Sequence, residues 1–224
     1  MPQCKVCKSK VELWNYTDFN KTCGNHPDFK WLGIPIAYHK CNSCGLIFTN
    51  YFDDWNNAMF AEEIYNDDYI KVDPDYVILR PEGNARFISE LVPKDKTIID
   101  YGGGNGKTAE LLRNMGYKAT FWDVHSGLQK PEDKFDVVVS IEVFEHTTDP
   151  LKTFKEALEF LKDDGVMYFT TLTNNELKYR EMHWYLSPRN GHILMHSYES
   201  LDKLGDICGV KITHLNNSLH KATY

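Results

Sequence analysis

The chain has no run approaching the roughly 18 apolar residues a membrane-spanning helix needs, and its opening stretch MPQCKVCKSK lacks the apolar core of a secretory signal. A spanning or exported protein is therefore not expected, and the cytoplasm is the expected address. There is also no dense Lys/Arg run. Lys and Arg number 25 against 32 Asp and Glu, for a net charge of -7, which argues against gripping nucleic acid through its phosphates. Beyond residue 44 only Cys208 remains of six cysteines. The crowding of the other five near the start, without a secretion signal, points to a metal site rather than a disulfide framework. No internal repeat or low-complexity stretch is present.

Three parts differ in composition. Residues 1–50 hold turn residues, aromatics and cysteines without a long helical period, as expected of a small metal-clipped β unit. Residues 51–95, rich in Tyr, Asp and Glu, end in the helical spacing of Ala85, Ile88 and Leu91 or Val92, and read as a helical connector or lid. In residues 96–224 strand and helix signals alternate. TIID and KATFWD are short strands, and FDVVVSI is apolar on both faces, like a strand covered on both sides of a parallel sheet. KTAELLRNMG predicts a helix with Leu111, Leu112 and Met115 inward and Gly116 as its stop. TDPLKTFKEALEFLKDDG is capped by Asp149 with Pro150 first, and SYESLDKLGDICG is bounded by Ser197 and Gly209. The tail VKITHLNNSLHKATY reads as two strands at an Asn-Asn turn or as one strand. The sum is an α/β, doubly wound Rossmann-like sheet with its ligand at the carboxyl ends of the central strands.

The stretch IIDYGGGNGKT carries the first chemistry. A phosphate-binding P-loop would need glycine at 101, which is Tyr101, and a dinucleotide fingerprint would need it at 107, which is Lys107. The pattern that is complete is Asp100-x-Gly102-x-Gly104-x-Gly106. Asp123, at the end of the next strand, can accept hydrogen bonds from both hydroxyls of a ribose. With these residues the chain resembles the class I S-adenosylmethionine-dependent methyltransferases. The segment from Asp136 to Gly165, with its Glu142-x-x-Glu145-His146, strengthens the resemblance, which covers most of residues 97–210.

One departure concerns the sheet. In most relatives a helix and a third, edge strand separate the ribose carboxylate from the Asp that enters the fourth strand. Here only VHSGLQKPEDKF lies between Asp123 and Asp136, too little for a strand of about five or six residues plus a crossover of about a dozen. The third strand is expected to be missing or vestigial. Adenine contacts would then fall to His125, Ser126 and Leu128, with help from the connector.

CKVC at 4–7 and CNSCG at 41–45 are two C-x2-C knuckles. Cys4, Cys7, Cys41 and Cys44 would hold one tetrahedral Zn²⁺ in a closed, structural site. The rival set is Cys4, Cys7, Cys23 and His26, which resembles a subgroup of rRNA guanine methyltransferases. A zinc unit ahead of this domain resembles bacterial small-molecule and sugar methyltransferases, whose sugar-modifying members carry a further large domain that residues 1–224 do not include.

The resemblance implies a cofactor set of Asp100, Gly102, Gly104, Gly106, Asp123, Val124, Glu142, Tyr69 and Arg80, the last two from the connector, with Tyr65 beside them. An oxygen or carbon nucleophile needs a base, and histidine suits neutral pH. His146 is one candidate base or a loop-orienting residue; His192, with Tyr185 as its hydrogen-bonding neighbour, is the other. His183, Trp184, Arg189 and His196 fall in the same acceptor-facing stretch, and Glu142 and Glu145 either hold the cofactor side or stabilise the loop. The expectation is methyl transfer to a small polar acceptor, sugar-like for preference, by O- or C-methylation. An RNA methyltransferase and a non-catalytic binding module of the same fold are the alternatives. The sequence does not set the oligomeric state.

Overall fold

The computed structural model describes residues 2–175 and 183–224. Strands β1 (Val11–Asp18) and β2 (Pro35–Cys41) form an antiparallel hairpin whose register is interrupted between Leu13 and Asn15. Ile36 and Tyr38, alternate residues of β2, are buried, as in a sheet with one covered face. The loop 19–34 is gathered by Asp18, whose carboxylate accepts from the N–H groups of Asn20 (2.9 Å), Leu32 (3.0 Å), Gly33 (2.8 Å) and Ile34 (3.2 Å). Burial pushes Asp18 up, but the four donors outweigh it and hold the carboxyl below its usual range.

Strand β3 (Ile47–Phe48) joins this hairpin, and the fourth strand of the sheet comes from far along the chain. It is β8 (Leu194–Met195), antiparallel to β3, with Ile47 opposite Met195 and Phe48 opposite Leu194.

The connector holds α1 (Asn57–Glu63), α2 (Tyr69–Val72) and α3 (Leu79–Leu91). The Asn56 side chain caps α1 by accepting from the Met59 N–H at 3.0 Å. Ala85, Ile88 and Val92 are buried, following the spacing read from the sequence.

The larger sheet has the order β5-β4-β6-β7-β10-β9. Four strands are parallel: β4 (Thr97–Tyr101), β5 (Lys118–Trp122), β6 (Phe135–Ile141) and β7 (Leu161–Thr170). The tail forms both expected strands, β9 (Lys211–His214) and β10 (Leu219–Thr223), antiparallel to one another, with β10 also antiparallel to β7. Helices α4 (Lys107–Asn114), α5 (Pro150–Glu159) and α6 (Tyr198–Cys208) complete the α/β layers.

Helices cover both sheet faces, which explains the doubly apolar FDVVVSI. Val137 and Val139 pack with Ala85, Ile88, Ala109 and Leu112 of α3 and α4, while Val138 packs with Phe154, Leu158, Leu201 and Leu204 of α5 and α6. Met115 is a correction: it is 40% exposed, because α4 ends at Asn114 and Gly116 then turns the chain at φ 88°.

No strand lies between Trp122 and Phe135, so β5 is the sheet edge and the third strand is missing. The shortened crossover is tied down by Lys130. Its amine lies 3.1 Å from Glu156 and 2.7 Å from Glu159 on α5, and 5.2 Å from the Phe160 ring centre.

Candidate active site

The glycine loop follows β4. Two of its glycines make room for protein rather than ligand: a Cβ on Gly102 would sit 2.4 Å from Val143, and one on Gly106 would sit 2.3 Å from the Phe121 ring, where α4 closes on β5. Only Gly104 faces open space, with Tyr76 of the connector at 3.9 Å as its nearest neighbour. Of the expected cofactor set, Gly106 does not line the cleft, whereas Gly102 and Gly104 do.

Asp123, at the tip of β5, accepts from the Gly104 N–H at 3.0 Å and the His125 N–H at 2.8 Å. Each oxygen keeps a lone pair for a ligand hydroxyl. Burial, then the nearby charge of Asp123, pushes Asp100 up to about 7. Val124, His125 and Ser126 border the same cavity, while Leu128 is 52% exposed and does not. From the connector come Tyr65, Tyr69 and Tyr76, ring against ring at 5.2 and 5.8 Å, and Arg80, which pairs with Asp73 at 2.7 Å.

Across the cavity, β6 is followed by Glu142, a non-glycine residue at φ 52°. Its carboxylate accepts from the Thr170 hydroxyl at 2.9 Å and the Tyr185 hydroxyl at 3.1 Å, which holds the strained residue in place. Glu145 follows in the single turn Phe144–His146 and is fully buried. His146 Nδ1 lies 3.0 Å from the Tyr65 hydroxyl, and its ring meets that of His192 edge to face at 4.8 Å. Burial pushes His146 down to about 4, and burial with the neighbouring His146 lowers His192 well below its ordinary value, so both rings are neutral at pH 7.

Gly191 makes this pairing possible, since a Cβ there would stand 2.5 Å from the Tyr65 oxygen and 2.8 Å from His146 Nδ1. Nothing in the linear sequence marks it. Tyr185 does neighbour His192, but through its backbone carbonyl, which accepts from His192 Nδ1 at 2.9 Å; the phenol goes to Glu142. Trp184, Tyr185 and His192 line the cavity.

Other residues of the stretch do not reach the cleft. Arg189 is buried and donates to the Ile64 carbonyl (2.6 Å) and Asn66 Oδ1 (3.0 Å), clamping the connector. His196 is in the core, 3.0 Å from Ser200 Oγ, and His183, which packs tilted against Trp184, does not line the cavity. A residue the sequence did not single out, Lys21, donates to the carbonyls of His183, Trp184 and Leu186 and to Ser187 Oγ, at 2.8 to 3.2 Å, and so ties the N-terminal unit to this wall of the cleft.

The four sulfurs of Cys4, Cys7, Cys41 and Cys44 lie within 4.8 Å of one another, with Cys4–Cys44 at 3.5 Å and Cys7–Cys41 at 3.4 Å. A tetrahedral zinc with bonds of about 2.3 Å spaces its sulfurs by roughly 3.8 Å. The spacing fits, and it is far too long for disulfides. The N–H groups of Ser43 and Cys44 also point at Cys41 Sγ, both at 3.4 Å. Cys23 is elsewhere, its sulfur 3.5 Å from His192 Nδ1, and His26 packs on Phe29, so the rival Cys-His set does not form.

A parallel sheet with a glycine loop after its first parallel strand, and a carboxylate at the tip of the neighbouring strand facing that loop, defines the class I methyltransferase arrangement. A family profile described as "Methyltransferase domain" matches residues 76–215, and the chain belongs to that family. The ubiquinone biosynthesis O-methyltransferase of Yersinia enterocolitica is 27% identical over 107 residues, 36% of this chain and 44% of that protein. The chain thus spans less than half the length of the curated relative it matches. Among solved structures, a SAM-dependent methyltransferase of Thermotoga maritima, titled a possible histamine N-methyltransferase, is similar at 15% identity and TM-score 0.47, covering 69% of this chain and 95% of that one. The magnesium protoporphyrin IX methyltransferase of Synechocystis, solved with S-adenosylhomocysteine, is similar at 13% identity and TM-score 0.46, covering 77% and 96%. Among the described residues no helix is long and apolar enough to cross a membrane.

Proposed function

We propose that this chain transfers a methyl group from S-adenosylmethionine to an oxygen or carbon of a small polar acceptor, with a sugar-like metabolite as the favoured class. The observation that carries the reading is one continuous cavity of about 1310 Å³ that joins Gly104 and Asp123 at one end to Glu142, His146 and His192 at the other. Pockets of about 300–1,000 Å³ accommodate one drug-sized ligand. This one has room for the cofactor and an acceptor together.

When bound, S-adenosylmethionine supplies a methyl group on a positively charged sulfur. Asp123 would take the ribose hydroxyls, and Gly104 would allow the close backbone approach. Tyr65, Tyr69 and Tyr76 form an aromatic wall suited to a sulfonium, and Arg80 offers a cation to the methionyl carboxylate. Alignment of nucleophile and methyl is the main demand of such a displacement, and the neutral rings of His146 and His192 are the groups placed to accept a proton. The thiolate cluster would hold a structural Zn²⁺ with no open position. The acidic balance of the chain, -7, disfavours an RNA substrate.

The test is calorimetric titration of the zinc-loaded protein with S-adenosylmethionine and S-adenosylhomocysteine, with Asp123→Ala alongside. Micromolar binding that is lost in the folded variant supports the reading. Absence of heat with folded wild-type protein overturns it and favours a binding module of the same fold.

A further inference from the structure

We propose that Glu145, His146 and His192 form a second metal site on the wall of the cleft, separate from the thiolate cluster, which takes one divalent first-row transition cation through a carboxylate and two imidazoles.

The first observation is an unmet demand. Glu145 is 0% exposed, and neither carboxylate oxygen makes a well-formed hydrogen bond, although the Glu142 carboxylate and the Tyr185 hydroxyl lie beside it. A buried carboxyl without a counter-charge or several donors either keeps its proton or recruits a cation. Among the described residues its sole ion-pair contact is His146 Nε2 at 3.8 Å, beyond hydrogen-bond range. Among the described residues the basic side chains Arg80 and Lys21 are committed elsewhere, Arg80 to Asp73 and Lys21 to three carbonyls and a hydroxyl.

The second observation is how the rings are held. His146 spends Nδ1 on the Tyr65 hydroxyl at 3.0 Å and His192 spends Nδ1 on the Tyr185 carbonyl at 2.9 Å. Metal-ligating histidines characteristically give one nitrogen to such an outer partner, which fixes the ring and frees the other nitrogen for the ion. One ligand atom from each of Glu145, His146 and His192 lies within 4.8 Å of the others. Bonds of about 2.0–2.2 Å to a shared ion are reached by side-chain movements of less than about 1 Å.

Chemistry narrows the occupant. Two imidazoles favour a transition cation over Mg²⁺ or Ca²⁺. Cys23 lies on the Nδ1 side of His192, away from the nitrogen left for the ion, so this is an oxygen and nitrogen site where the first is all sulfur. Glu142, held by Thr170 and Tyr185, stands three residues away as an outer negative charge. Because His146 and His192 border the cavity, three protein ligands leave the ion open positions toward the acceptor. That last role rests on the methyltransferase reading, and with the ion bound it replaces proton acceptance by the two rings, whose nitrogens are then all engaged; the site itself does not rest on that reading.

The test uses the full chain, treated with EDTA so that only tightly held zinc remains, and titrated with Co²⁺ in the absence of S-adenosylmethionine. The expected result is one retained zinc and one further equivalent of Co²⁺ per chain, with a rise in the wild-type melting temperature. In Glu145→Gln, which removes the charge and keeps the volume, the second equivalent binds at least about tenfold more weakly, and added Co²⁺ no longer raises the melting temperature. His192→Gln gives the same loss through a different ligand. Absence of a second equivalent in folded wild-type protein overturns the proposal, as does equal Co²⁺ affinity in folded Glu145→Gln. Neither result bears on cofactor binding, which the Asp123→Ala calorimetry reads separately.

Discussion

Ser197 serves two neighbours with one hydroxyl: it accepts from the Ser200 N–H at 2.9 Å to cap α6, and it donates to the carbonyl of Cys44 in the thiolate cluster. The cysteine knuckle and the last helix of the methyltransferase sheet are thereby one hydrogen-bonded unit. Ser197→Ala should cost about 1–2 kcal/mol of stability, read as a fall in urea midpoint, and should also speed zinc release to a chromophoric chelator. A stability loss with unchanged zinc release would show that the two are not coupled.

The glycine loop separates packing from ligand approach. Gly106→Ala drives a methyl group into the Phe121 ring and should cost about 1–3 kcal/mol, visible in thermal melts without any ligand. Gly104→Ala meets no protein atom closer than 3.9 Å. Its main effect should be a loss of S-adenosylhomocysteine affinity by calorimetry, with a smaller folding loss of about 1 kcal/mol from the left-handed backbone. Equal affinity loss in folded forms of both variants would contradict this division.

Asp136 gives a pH signature. The Thr97 N–H, then the Thr97 hydroxyl and then Lys162 hold its carboxyl well below the usual carboxylate range. A depressed carboxyl contributes stability that is present above its unfolded pKa of about 3.9 and is lost as pH falls toward the folded value. Asp136→Asn should therefore be less stable than wild type by a constant margin above about pH 5. The margin should shrink below about pH 4, measured by denaturant unfolding at each pH.

The four-cysteine cluster packs within the same core as Phe144, Leu194, Leu201 and Leu204. Cys44→Ser should therefore lower zinc content and melt the α/β sheet together with the N-terminal strands, in one transition by far-UV dichroism. Two separate transitions would show that the cluster supports only its own strands.

Local chemistry made much of this legible. The caps Asp149 and Ser197 and the stop at Gly209 declare themselves within a few residues, because each is satisfied by neighbours in the chain, and each cysteine knuckle is readable from its own short spacing. The missing third strand followed from counting the residues after Asp123. What stayed hidden depends on distant partners. Arg189 and His196 look like acceptor-facing groups until packing turns them toward Ile64 and Ser200. Gly191 and Lys21 acquire meaning only when Tyr65 and the Trp184 loop are brought beside them. Glu145 lies in a readable motif, but only the folded structure reveals that its buried carboxylate makes no well-formed hydrogen bond.

The pairing of β8 with β3 has a consequence for synthesis on the ribosome. Phe48 and Ile47 find their strand partners in Leu194 and Met195, so the N-terminal sheet cannot finish forming until nearly 150 further residues have been made. Contacts so far apart in sequence slow folding and leave edges exposed meanwhile. The nascent chain, its cysteines already outside the tunnel, must wait with an open strand edge and an incomplete apolar core, and early capture of zinc by the two knuckles would hold that half-built unit in register until its last strand emerges.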